Sequence, residues 1–106
     1  MPNYKNVTTG SIDANGETVS HGCRFLSPGV LTVQLEGTFS GTLQLEATAD
    51  GTNFESNNLK DGNSGTLATS ATGEKLFVGD GYGIHTFRVR ASAWSSGTAN
   101  ITIVTL

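Results

Sequence analysis

The chain has 106 residues, of which 14% are charged and 14 are glycine, with a net charge of −3. That length suits one domain, burying roughly 65% of the surface its unfolded chain exposes. With six lysines and arginines in all it lacks the electrostatic footprint of a nucleic-acid or anionic-lipid binder, no apolar run approaches the ~20 residues of a membrane-spanning helix, and the N-terminus lacks the charged start and apolar core of a signal peptide.

Residues 1–17 are polar and without sustained periodicity, and Gly10 and Asn15-Gly16 mark turns; they are predicted to be an irregular N-terminal arm. A single β-sandwich domain is predicted over residues 18–106. A short strand is expected from Thr18, interrupted at His21-Gly22, and Ser27-Pro28-Gly29 is a turn signal. Cys23 has no partner for an internal disulfide and reads as a small buried hydrophobe.

The clearest pattern lies in residues 31–54. Leu31, Val33 and Leu35 alternate with Thr32, Gln34 and Glu36, and Leu43, Leu45, Ala47 and Ala49 alternate with polar residues after a glycine-bounded stretch. This predicts two strands. Joined as a hairpin through residues 37–41, they would set Leu35 opposite Leu43 and Val33 opposite Leu45, with Phe39 at the tip. Short strands are expected within residues 66–71 and 75–78, with loops at 61–65 and 79–83. A second hairpin is expected at the C-terminus, where Phe87, Val89, Ala91 and Ala93 alternate with Arg88, Arg90, Ser92 and Trp94. Turning through Ser95-Ser96-Gly97, it would place Val89 against Ile103 and Ala91 against Ile101. The sum is an all-β fold, an antiparallel sandwich or jelly roll of about seven or eight short strands.

Chemistry is sparse. His21, Cys23 and His85 lack the paired spacing that gathers zinc ligands, so no metal site is expected. The run Gly79-Asp80-Gly81-Tyr82-Gly83 precedes a strand and not the helix N-terminus that a phosphate cradle needs. Asp13, Asp50 and Asp61 open turn-like segments without the terminal bidentate glutamate of a calcium loop, and read as Asx-type turns. Glu36 and Glu46 fall on outward positions with nothing to raise a pKa, and no nucleophile elbow accompanies the serines. An enzyme is not expected, nor is a cofactor. The aromatics Phe39 and Trp94 suit caps on the ends of the sandwich, subunit contacts or sugar-stacking platforms.

The segments LEGTFSGTLQLEATADGTNF and GIHTFRVRASAWSSGTANITI resemble a module of small tailed-phage virion proteins. In that family a GTF-x-GT hairpin leads into a DGTNW/F turn, and an h-x-VRV-x-a-y-x-SGT-x-x-V hairpin closes the domain. Here Phe54 stands where the family often has Trp, and Trp94 where it often has Tyr. The resemblance implies a non-enzymatic structural protein of the virion, made in the host cytoplasm: a head decoration or cement protein, as a homotrimer, bound to the major capsid protein or other virion proteins. A neck, tail or fibre accessory protein is the alternative within that class, and a carbohydrate-binding adhesion module the alternative outside it. The contact residues expected on this reading are Tyr4 and Val7 in the arm, with Phe39 and Trp94 at the sandwich ends.

Overall fold

The computed structural model describes residues 6–23, 29–80 and 84–105. These form eleven strands: β1 (Asn6–Ile12), β2 (Thr18–Gly22), β3 (Val30–Glu36), β4 (Phe39–Thr48), β5 (Glu55–Ser56), β6 (Leu59–Asp61), β7 (Leu67–Ala68), β8 (Ser70–Ala71), β9 (Lys75–Asp80), β10 (Thr86–Gly97) and β11 (Ala99–Thr105). Two antiparallel sheets pack as a β-sandwich. One has the order β1-β11-β3-β9-β6-β7; the other has β2-β10-β4-β5, with β8 also pairing with β4. Tyr4, Tyr82 and most of the 27–29 turn lie outside the described residues.

The inward faces follow the predicted alternation as far as Ala47 in β4 and Ala91 in β10, while Ala49, beyond the end of β4, and Ala93, past a bulge, are exposed. Leu31, Val33 and Leu35 of β3, Ile101 and Ile103 of β11, and Phe77 of β9 come from the six-stranded sheet. They meet Leu43 and Leu45 of β4 and Phe87, Val89 and Ala91 of β10, and all are buried. Cys23 joins this core as a small hydrophobe, with its Sγ 3.6 Å from the His21 carbonyl oxygen.

Neither expected hairpin forms. β3 and β4 lie in different sheets, as do β10 and β11. Each half of one supposed hairpin pairs with a half of the other: Val33 faces Ile103 and Leu35 faces Ile101, while Leu45 faces Val89 and Leu43 faces Ala91. Leu35 and Leu43 therefore enter the core from facing sheets and are not side by side in one. Alternation reports which face of a strand is buried, and it is the same whether the chain turns within a sheet or out of it.

What turns the chain out of the sheet is a pair of arches packed back to back. Gly37, with φ 109°, follows β3, and Gly97, with φ 89°, ends β10. A Cβ on Gly97 would run into the Thr38 carbonyl and the Phe39 Cα, and one on Gly37 would run into the Thr98 carbonyl. The Thr98 amide donates to the Thr38 carbonyl at 3.3 Å. At both glycines a side chain is thus opposed by the left-handed backbone and by the neighbouring arch.

The segment 6–12, expected to be irregular, is instead strand β1, paired along its length with β11 from Asn6↔Thr105 to Ile12↔Ala99. Its inward residues, Thr8 and Gly10 before Ile12, are too polar and too small to register as a periodic apolar face. They are accommodated by β2: Gly10 leaves room for Val19, which a Cβ would crowd, and Thr8 bonds to His21. The buried His21 ring spans the two sheets, Nδ1 lying 2.7 Å from Thr8 Oγ1 and Nε2 lying 2.8 Å from Thr105 Oγ1. Burial lowers its pKa, because the charged ring loses its hydration.

Gly97→Ala is expected to lower the unfolding free energy by at least about 2 kcal/mol, measured by urea denaturation, from backbone strain plus the clash with the facing arch. Because the His21 pKa is depressed on folding, its contribution to stability is complete above the unfolded value near 6.5 and falls as pH drops from there toward the folded value. Denaturation midpoints measured between pH 8 and 5 should show this decline in the natural sequence and lose it in His21→Gln.

Candidate interaction surfaces

The two outer faces of the sandwich differ in chemistry. On the β2-β10-β4-β5 sheet the outward side carries an ion-pair cluster. Glu46 of β4 accepts from Arg88 Nε at 2.8 Å through Oε1 and from Arg90 Nη2 at 2.9 Å through Oε2, with Arg90 Nε reaching both oxygens at 3.1 and 3.2 Å. Glu46 is consequently only 8% exposed, against the expectation of a solvated position. The sequence alone did not show that two arginines of β10 would sit across the ladder from it. Hydrogen bonds from Arg90 and Arg88 hold its carboxyl below the usual glutamate range.

Beyond this cluster the Arg88 guanidinium lies over the Phe54 ring, 3.8 Å from its centroid. Phe54 is delivered there by the DGTNF turn. The Asp50 carboxylate accepts at 2.8 Å from the Thr48 hydroxyl and the Thr52 and Asn53 amides, and at 2.9 Å from Asn53 Nδ2. These bonds hold its pKa well below the usual aspartate range. The motif is a carboxylate-capped turn, as expected. Asp61 likewise caps the Asn63 amide at 2.8 Å and pairs with Lys75 Nζ at 2.9 Å. At the first turn the expected capping acid is replaced: Glu17, not Asp13, accepts from the Asp13 and Ala14 amides at 2.8 and 3.0 Å.

Phe39 and Trp94 come together at the arch end. Their rings stack with centroids 5.1 Å apart and an interplanar angle of 9°, and both pack against the core while half-buried. Trp94 was expected on the polar side of its strand, beside the arginines. A β-bulge between Ala91 and Ala93 reverses the phase, as an extra residue in one strand must, so the indole lies over Gly41, where a Cβ would collide with it. Its Nε1 donates to the Gly97 carbonyl at 3.2 Å. The glycines and aromatics of the GTF-x-GT and SGT segments thus build one corner of the fold.

The outward side of the six-stranded sheet carries the exposed hydrophobic residues. Val7, Val30, Leu67, Leu76 and Val78, the exposed large hydrophobics among the described residues, all lie there. The strand registers align one transverse row across all six strands: Val7, Val104, Thr32, Val78, Lys60 and Leu67. Val7, singled out from the sequence, occupies one end of this row at 48% exposure. The rest of the row could not be read from the sequence, because its members come from six strands and meet only through pairing.

Elsewhere, an open groove of about 430 Å³ beside β5 is lined by residues that include Ala47, Thr48, Glu55, Asn57 and Ile84. Its Asp50 is committed to the turn described above. Among the described residues no cluster of three or more His, Cys, Asp or Glu side chains could hold a metal ion. His85 bonds through Nδ1 to the adjacent Thr86 hydroxyl at 2.7 Å.

No protein-family model matches the chain, and no curated protein sequence matches it. Solved structures do. The SPBc2 prophage-derived protein YomS superposes with a TM-score of 0.79 at 12% identity, over 100% of this chain and 98% of YomS. The exported protein XepA of PBSX superposes with a TM-score of 0.78 at 13% identity, over 99% of this chain but 39% of XepA. The fold is therefore one found in a prophage-derived protein and in an exported protein of PBSX, spanning nearly all of the first and part of the longer second.

Glu46→Gln is expected to cost about 1–2 kcal/mol at pH 7, since it leaves two half-buried guanidiniums without their counter-charge while solvent screens part of the loss. The depressed Glu46 pKa means that this contribution is present above the usual glutamate value near 4.3 and lost as pH falls toward the folded value. The gap between the natural and variant proteins in denaturation experiments should therefore close in acid.

Proposed function

We propose that this chain is a non-enzymatic structural component of a phage particle, and specifically a decoration protein that binds the outside of the capsid as a homo-oligomer. The observation that carries the reading is the end-to-end likeness of its fold to prophage-derived YomS. The deployment of its side chains supports it. The acids Glu46, Asp50 and Asp61 are each engaged in ion pairs or turn caps, which is the work of a scaffold. Meanwhile an apolar outer face is left for contact with another protein. Reinforcement would be passive, with buried area at subunit junctions resisting their separation. Stacking of Phe39 on Trp94 covers one face of each ring, which leaves less ring surface for a sugar.

The test is co-sedimentation of the purified protein with capsids from which its gene product has been deleted. Saturable binding at hundreds of copies per particle is expected. Binding of only a few to dozens of copies, at the portal vertex or tail, would move the protein to the neck or tail, and no binding to particles would remove the virion reading.

A further inference from the structure

We propose that the outer face of the six-stranded sheet is a self-association surface on which a second copy of this chain packs face to face. The inference adds a contact to the functional reading above, and part of its test is independent of that reading.

The first ground is segregation. The five exposed large hydrophobics of the described residues share this one face, whereas the opposite outer face carries Arg88, Arg90 and Glu46. Scattered apolar residues on a surface need no explanation, but a set confined to one side of a sandwich marks a contact. The second ground is layout. Val78 and Leu76 of β9, Val104 of β11 and Val30 of β3 occupy the middle strands, with Thr32 between Val104 and Val78 in the central row. Charged and polar groups lie around them: Glu36 and Asp80 at the strand ends, Gln34 beside Leu76, and Lys60 toward the β7 edge. An apolar centre with a polar rim is the anatomy of a protein interface.

The third ground is area, and it favours a second copy. Four strands of six or seven residues with the short β6 and β7 beside them, at ~4.8 Å between strands and ~3.3 Å per residue, give a flat footprint of roughly 500 Å². Two such faces together remove roughly 1,000 Å² before side-chain relief is counted, which meets the lower threshold for a specific interface. Sheets pack in this way ~10 Å apart, with a modest rotation set by their twist. Charge fits as well. The apolar centre carries no charge to repel its own copy, and the flexible Lys60 stem can lie along the apolar surface with its ammonium in water.

The experiment is sedimentation equilibrium of the full chain from low to high micromolar concentration, on the natural sequence and on Val78→Glu, Leu76→Glu and Ser20→Glu, with thermal melting to establish that each variant is folded. Ser20 lies on the opposite sheet, on an exposed outward position of β2. A concentration-dependent dimer is expected for the natural sequence and Ser20→Glu, weakened at least tenfold in Val78→Glu and in Leu76→Glu. A monomer at every concentration overturns the inference, and so does an oligomer, a trimer included, that is indifferent to Val78→Glu and Leu76→Glu. Capsid co-sedimentation separates the two readings. A monomer whose capsid binding is abolished by Val78→Glu assigns this face to the capsid and overturns self-association, and with it the homo-oligomer of the functional reading, while keeping the capsid contact. A dimer sensitive to Val78→Glu that binds no particle keeps self-association and overturns the capsid reading.

Discussion

The fold depends on the two arches at Gly37 and Gly97. Each turns the chain from one sheet into the other, and each occupies the space that a side chain on the other would need. Because they touch, the two crossovers are mutually dependent. Together they set β3 against β11 and β4 against β10, the pairings on which both registers rest. An isolated two-stranded hairpin is marginal in water. Sending the strands to opposite sheets lets every inward residue of all four contribute to one core.

The same corner explains why its aromatics are where they are. The bulge between Ala91 and Ala93 turns Trp94 inward, Gly41 makes room for the indole, and Phe39 stacks on it at the start of β4. At the other side of the molecule, His21 ties β2 to β1 and β11 through two threonine hydroxyls. A sandwich has two sheets that share no backbone hydrogen bonds, so this buried polar bridge supplements apolar contact between the layers.

The two outer faces have divided the remaining work. One gathers Arg88 and Arg90 on the Glu46 carboxylate and covers Phe54 with a guanidinium. The other keeps its charges toward the margins and carries the row that begins at Val7, four of whose six residues are apolar. An outward row on a sheet is assembled one residue per strand. Val7 and Leu67 are far apart in the chain, yet they lie in one row only because β1, β11, β3, β9, β6 and β7 pair in that order.

Local chemistry was legible wherever one stretch of chain decides it. The alternation in β3, β4 and β10 identified the buried residues, because side chains of a strand point to opposite sides in turn. The Asp50 and Asp61 turns follow from carboxylates two or three residues ahead of free amides. The same reasoning missed β1, whose inward Thr8 and Gly10 gain their fit from β2. It put Trp94 on the wrong side, since a bulge leaves no mark on periodicity, and it took Glu46 as solvated because its arginines are 42 and 44 residues away. The amino-acid sequence by itself determined the apolar core positions of β3, β4, β10 and β11, where the chain bends and that the protein is a β-sandwich. Only the tertiary structure decided which strands pair, which charges meet and which outer face is apolar, because alternation and turn chemistry are properties of neighbours in the chain, while pairing depends on how two bends pack against each other.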